Sequence, residues 1–172
     1  DSIPGKVDEI IYGLDFGYNA PTSLVKIYLC DGVPYFEEKI YESGLTNVDL
    51  INKLKTLEVG KNTIYADCAE PARIEELRRN GFIVIESDKD VLAGINYIKT
   101  LKPGILSNSV NIIKEYQTYA WDKNKDNLID KPVKFMDHSL DAIRYALYTH
   151  RDKFEFVGIG PDGGIINPVK EV

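Results

Sequence analysis

The chain has 172 residues, 44% hydrophobic and 28% charged, a length and composition expected of one soluble globular domain with a real core. Its formal net charge of -6 argues against a protein that wraps nucleic acid through a broad basic face. No apolar run approaches the ~18 residues that span a bilayer, no signal peptide is present, and Cys30 and Cys68 lack CxxC spacing, so no membrane partner, disulfide framework or zinc site is expected.

In chain order, the polar residues 1–9 with Pro4-Gly5 read as a linker. Ile10 to Leu14 form an apolar strand, central in the sheet, that delivers Asp15 at its end before Gly17-Tyr18-Asn19. Ser23 to Cys30 and Val33 to Tyr41 are two further strands joined by Asp31-Gly32, a strong hairpin signal. The chain therefore opens as an antiparallel three-strand meander. Thr46-Asn47-Val48-Asp49 has the form of a capping box, followed by Leu50, Ile51, Leu54 and Leu57 at helical spacing.

Thr63 to Ala66 is a short buried strand that brings a second acid, Asp67, to a strand end. Glu70-Pro71 opens a helix closed by Asn80-Gly81, and Phe82 to Glu86 is the next strand. This β-α-β unit predicts a parallel pair, and hence a mixed sheet. Asp90 to Leu101 is a helix with Val91, Leu92, Ile95 and Ile98 as its apolar positions. Ile105-Leu106 is a short edge strand, Val110 to Tyr116 a short helix, and Trp121 to Asp130 a small hairpin insertion. A last strong helix begins near Asp137, with Leu140, Ile143 and Leu147 on its apolar stripe. Residues 151–172, rich in glycine after Phe154, are expected to be a tail without regular structure.

An acid at the rim of a buried strand must be paired, hydrated or bound to a cation. Asp137 and Asp141 stand at i, i+4, with His138 three residues before Asp141, so all three can approach one helix face. Asp141 is flanked by the packed stripe, an unusual place for an unneutralised acid. Asp15, Asp67 and Asp141 together have the composition of a site for two divalent metals, because hard oxygen ligands hold Mg²⁺ or Mn²⁺ and leave positions open for phosphate and water. The competing readings are local: Asp15 as a turn former, and Asp137 as a helix N-cap.

The ordered set Gly-Leu-Asp-Phe-Gly-Tyr, Tyr-Ala-Asp-Cys-Ala-Glu-Pro and Asp-His-Ser-Leu-Asp-Ala-Ile-Arg-Tyr-Ala resembles the nuclease domain of the large terminase subunit of tailed bacteriophages, over Ile10 to Tyr148. The resemblance implies an α/β RNase H-like fold over residues 10–150, a mixed sheet of an antiparallel meander plus parallel strands flanked by helices. It implies an endonuclease that cuts concatemeric double-stranded viral DNA during packaging, in the host cell cytoplasm, with two metal ions. The family's metal-binding acids fall on Asp15, Asp67 and Asp141. His138 matches a histidine found near the metals in some members, Asp137 is an auxiliary ligand candidate, and Glu70 is either an outer-shell group or a helix cap. Lys123 and Lys125 are either phosphate contacts or solvated turn residues.

The same resemblance implies an N-terminal packaging ATPase domain, a small terminase subunit and a portal protein as partners. No G-x-x-x-x-G-K-[ST] loop occurs in this chain, so ATP hydrolysis is not assigned to it. Its first residue is Asp and its only methionine is Met136, as expected of a piece of a longer or processed protein. Three other readings stay open. A different RNase H-like nuclease, such as a junction resolvase, would share the acidic triad, and an interaction module would carry it as a vestige. An actin-like ATP-binding fold would need a second Gly-rich turn where Asp67 is followed by Cys68-Ala69-Glu70-Pro71.

Overall fold

A computed structural model describes residues 3–88, 90–125 and 137–153, with two short strands at 158–159 and 165–166. Its centre is a six-stranded mixed sheet. The meander is β1 (Glu9–Asp15), β2 (Thr22–Cys30) and β3 (Val33–Glu42), all antiparallel. The β2–β3 turn uses Asp31 and Gly32 at φ 48° and 77°, the left-handed pair that a two-residue hairpin matching strand twist requires.

Helix α1 (Asn47–Thr56) follows, with its capping box formed: Thr46 Oγ1 accepts from the Asp49 amide, and the Asp49 carboxylate accepts from the Thr46 amide at 2.9 Å. β4 (Thr63–Ala66), α2 (Pro71–Arg79) and β5 (Val84–Glu86) make the expected parallel unit, and β4 lies parallel to β1. Helix α3 (Val91–Lys99) leads to β6 (Gly104–Ile105), parallel to β3 at the far edge. Strand order is β5-β4-β1-β2-β3-β6. β1 is therefore interior, which is why its residues are apolar toward both faces.

Alternate residues of β1 enter two cores. Tyr12 and Leu14 pack with Leu50, Leu54, Ile74 and Leu77 of α1 and α2. Ile11 packs on the opposite face with α4 (Val110–Lys125) and α5 (His138–His150), through residues such as Ile112, Ile143 and Leu147.

Between them on β1, Gly13 lies flush against α5: a Cβ at this position would fall 1.9 Å from the Ala142 carbonyl oxygen. The missing side chain lets the helix backbone touch the strand, and this contact sets how deeply α5 sits.

Three expectations are corrected. The region 119–125 is helical, since α4 continues to Lys125; the first strand of the expected 121–130 hairpin is therefore absent, and residues 126–130 lie outside the described residues. Gln117, Lys123 and Lys125 are good helix formers with no intervening glycine or proline, so polarity alone did not break the helix. On α3, Leu92 is 67% exposed and Val91 also faces solvent, while Gly94 is buried and Tyr97 and Ile98 pack on the core. The helix turns its glycine inward because the stem of Arg144 lies against it. In the tail, Gly158–Ile159 pairs antiparallel with Ile165–Ile166, where β-branched residues favour extended pairing.

Gly13→Ala is expected to lower stability by about 1–3 kcal/mol, because a helix backbone cannot step aside as a side chain could. Denaturant unfolding measures this; an unchanged midpoint would mean that α5 packs at another depth.

Candidate active site

Parallel pairing carries β1 and β4 to the same sheet end. Asp15 closes β1, and Asp67, one residue past β4, donates its amide to the Leu14 carbonyl at 3.3 Å. Helix α5 runs over this end from the side of Gly13 and brings His138 and Asp141 in its first turn. The His138 Nδ1 lies 2.9 Å from Asp15 Oδ2. Asp15 is only 7% exposed.

Burial is the largest influence on the Asp15 carboxyl, raising its pKa from 3.8 to about 7. The His138 hydrogen bond opposes that rise, and the charges of Asp141 and Asp67 reinforce it. Tyr145, one helical turn after Asp141, is displaced by the same group of acids: burial first, then Asp15, Asp141 and Asp67, raise its phenol above the usual range.

The other expected residues fall as follows. Asp67 Oδ1 accepts from the Ala69 amide at 2.9 Å, ordering the loop that enters α2. Glu70 occupies the N-cap position of α2, exposed and without a side-chain capping bond. Asp137 occupies the N-cap position of α5, also without one; it is partly buried, and burial followed by repulsion from Asp141 raises its pKa. Lys123 and Lys125 stand in the last turns of α4.

Four participants were not anticipated. Arg144 Nη2 donates to Asp141 Oδ1 at 3.0 Å, and its guanidinium lies over the Tyr145 ring, 4.7 Å from the centroid. Ser23, the cross-strand partner of Asp15, meets Ser139 in a buried hydroxyl pair at 3.1 Å. Glu115 reaches across from α4, where Oε2 accepts the Ser139 and Leu140 amides at 2.9 and 3.0 Å. Burial raises the Glu115 carboxyl to about 7 against the lowering effect of these bonds and of the Tyr41 hydroxyl. A signal for Glu115 existed, since it falls three residues after Ile112 and beside Tyr116 on the inner stripe of α4. Arg144 was visible as an i, i+3 partner of Asp141. Ser23 and Ser139 carried no local mark.

Among the described residues no three His, Cys, Asp or Glu side chains are grouped so that they could hold a metal ion together. The donor chemistry suits a hard cation: carboxylate oxygens at one sheet end, one of them buried so that its charged form is disfavoured.

A family model described as the terminase RNase H-like domain matches residues 15–149. The chain belongs to this family. It is 30% identical over 148 residues to the PBSX phage terminase large subunit of Bacillus subtilis (strain 168), a match covering 78% of this chain and 33% of that protein. The chain thus spans about a third of the length of that relative. Among solved structures, the P22 large terminase nuclease domain superposes with a TM-score of 0.71 at 20% identity, covering 88% of this chain and 85% of that one. The nuclease domain of the large terminase from bacteriophage SPP1, with bound Mn, gives 0.66 at 25% identity, covering 86% and 88%. The RNase H-like terminase fold expected from the sequence is the fold observed.

Without metal, the pH dependence of this terminase domain should carry the mark of Asp15. The folded state keeps the Asp15 proton up to about pH 7, whereas the unfolded chain loses it near 3.8, so stability falls as pH rises through that interval and the penalty is complete above it. In EDTA, Asp15→Asn is therefore expected to melt higher than wild type above pH 7, with the difference shrinking toward pH 4. Parallel melting curves for the two proteins across that range would contradict this.

Proposed function

We propose that this chain is the metal-dependent endonuclease domain of a terminase large subunit, hydrolysing phosphodiester bonds of concatemeric double-stranded viral DNA during genome packaging. The observation that carries the reading is the buried Asp15 at the end of β1, with His138 Nδ1 2.9 Å from its carboxylate and Asp67 on the adjoining parallel strand end, in a chain of the terminase RNase H-like family. Manganese in the SPP1 nuclease domain supports a divalent ion, Mg²⁺ or Mn²⁺, at these carboxylates.

In this reading Asp15, Asp67 and Asp141 hold two divalent ions, with Asp137 as an auxiliary ligand. When bound, such a pair supplies an activated water for attack on phosphorus and stabilises the leaving 3′ oxygen. The protein's own contributions are positional. β1 and β4 present two carboxylates from a rigid parallel pair, and α5 presents the third from a helix seated on Gly13. His138 holds the Asp15 carboxylate by one oxygen, which fixes the direction of the other. Arg144 restrains Asp141 through Oδ1 in the same manner. Glu70 lies at the margin as an outer-shell group. No side chain is needed as a covalent nucleophile.

Lys123 and Lys125, at the end of α4, contact the phosphate backbone of the DNA. The domain works beside an N-terminal packaging ATPase, with the small terminase subunit and the portal protein as partners, in the host cell cytoplasm. Among the described residues no helix is long and apolar enough to cross a membrane.

Conversion of supercoiled plasmid to nicked and linear forms tests the reading. Cutting is expected with Mn²⁺ or Mg²⁺, not with EDTA, and is expected to vanish in Asp15→Asn, Asp67→Asn and Asp141→Asn. Full activity in any one variant removes that residue from the site. No cutting together with no Mn²⁺-induced thermal shift would leave a vestigial site in an interaction module. For the lysines, Lys123→Ala or Lys125→Ala should each lower the slope of log binding constant against log salt by about 1, with the greatest loss of binding at low salt. An unchanged slope would place the DNA elsewhere.

A further inference from the structure

Helix α5 has an aspartate at its N-cap position, yet that aspartate does not cap it. Asp137 makes no side-chain bond to the helix, although aspartate is among the best residues for the task. The two amides such a cap would satisfy, those of Ser139 and Leu140, are instead taken by Glu115 from another helix. Glu115 is 7% exposed, and its Oε1 is buried with no hydrogen-bond partner among the described residues. Burying a carboxylate in this way is costly, and a local cap was available in sequence.

The same device occurs one step earlier. Glu38 of β3 accepts the Asn111 and Ile112 amides at 3.0 and 3.1 Å, and so caps α4 from the sheet. The two caps connect β3 to α4 and α4 to the turn of α5 that carries His138 and Asp141.

We propose that Glu115 is a positioning residue of the candidate active site. By capping α5 from α4 it fixes the rotation and height of the first turn, holds His138 and Asp141 beside Asp15, and leaves the Asp137 carboxylate unclaimed by its own helix. A self-capped α5 would be as well satisfied in hydrogen bonds, but its first turn would be registered only against itself. The proposal rests on the nuclease reading for its consequence in metal binding, while its structural content stands on the metal-free protein.

The test compares wild type, Glu115→Ala and Glu115→Gln. Glutamine keeps a side-chain oxygen able to accept both amides. In metal-free protein, amide exchange at Ser139 and Leu140 should accelerate in Glu115→Ala and return close to wild type in Glu115→Gln, with β1 and β4 unchanged in both. Calorimetric titration with Mn²⁺ should show affinity lower by roughly 10- to 100-fold in the alanine variant, the range typical of lost outer-shell support, and largely restored in the glutamine variant.

A second readout separates positioning from bulk stability. Asp137→Ser alone should leave exchange at Ser139 and Leu140 unaltered, because Asp137 does not cap. Wild-type exchange and Mn²⁺ affinity in Glu115→Ala would overturn the proposal, as would exchange accelerated throughout both cores with no recovery in Glu115→Gln. Wild type that neither binds Mn²⁺ nor cuts DNA would instead overturn the nuclease reading, and the exchange data would still decide the role of Glu115.

Discussion

The contact on which the site depends is backbone against backbone, where α5 lies on Gly13 with no side chain between them. Helix-to-sheet distance is ordinarily set by the bulk of interposed residues, and at this point the bulk is zero. Asp15 follows Gly13 by two residues and points to the same face, while Asp141 precedes Ala142 by one. The seat of the helix on the strand is therefore close in sequence to an acid of each element. A larger spacer at position 13 would lift the helix and separate His138 from the Asp15 carboxylate it touches at 2.9 Å.

Seating a helix N-terminus over buried carboxylates creates a hydrogen-bonding problem, because the first-turn amides need partners and the acids need charge compensation. The amides are met by Glu115, and Ser139 is further tied to Ser23 on β2. The acids are met only in part. His138 serves Asp15 and Arg144 serves Asp141, but the Asp15 carboxyl remains displaced toward its neutral form. Polar groups that pack well and are electrostatically unsatisfied are a common sign of a functional site.

The remaining framework serves that sheet end. Parallel pairing of β4 with β1 brings Asp67 to the level of Asp15, and the crossover helix α2 is anchored in the opposite core. Arg73 of α2 reaches back over Phe16, 4.5 Å from the ring centroid, and bonds Asn47 of α1. The loop after Asp15 is thereby held from the face that α5 does not cover.

Much of this was determined by sequence alone, wherever neighbours in the chain decide the outcome. The Asp31-Gly32 hairpin, the Thr46–Asp49 capping box, the Pro71 helix start and the alternation of β1 between two cores follow from local sterics and side-chain periodicity. The three candidate acids stand out in the sequence because each interrupts an apolar pattern, at 15 and 67 after a strand and at 141 beside a helix stripe, while their metal-binding role is a proposal. The length of α4 was misread because polarity imitates a turn while propensity favours helix. The buried face of α3 was misread because hydrophobicity alone cannot show that the Arg144 stem needs a glycine opposite it. Only the tertiary structure could decide who caps α5, since Asp137 is the local candidate and Glu115 lies 24 residues from Ser139. The depth of the helix over Gly13 and the raised carboxyl of Asp15 were beyond the sequence for the same reason. Both arise where segments distant in the chain exclude water together.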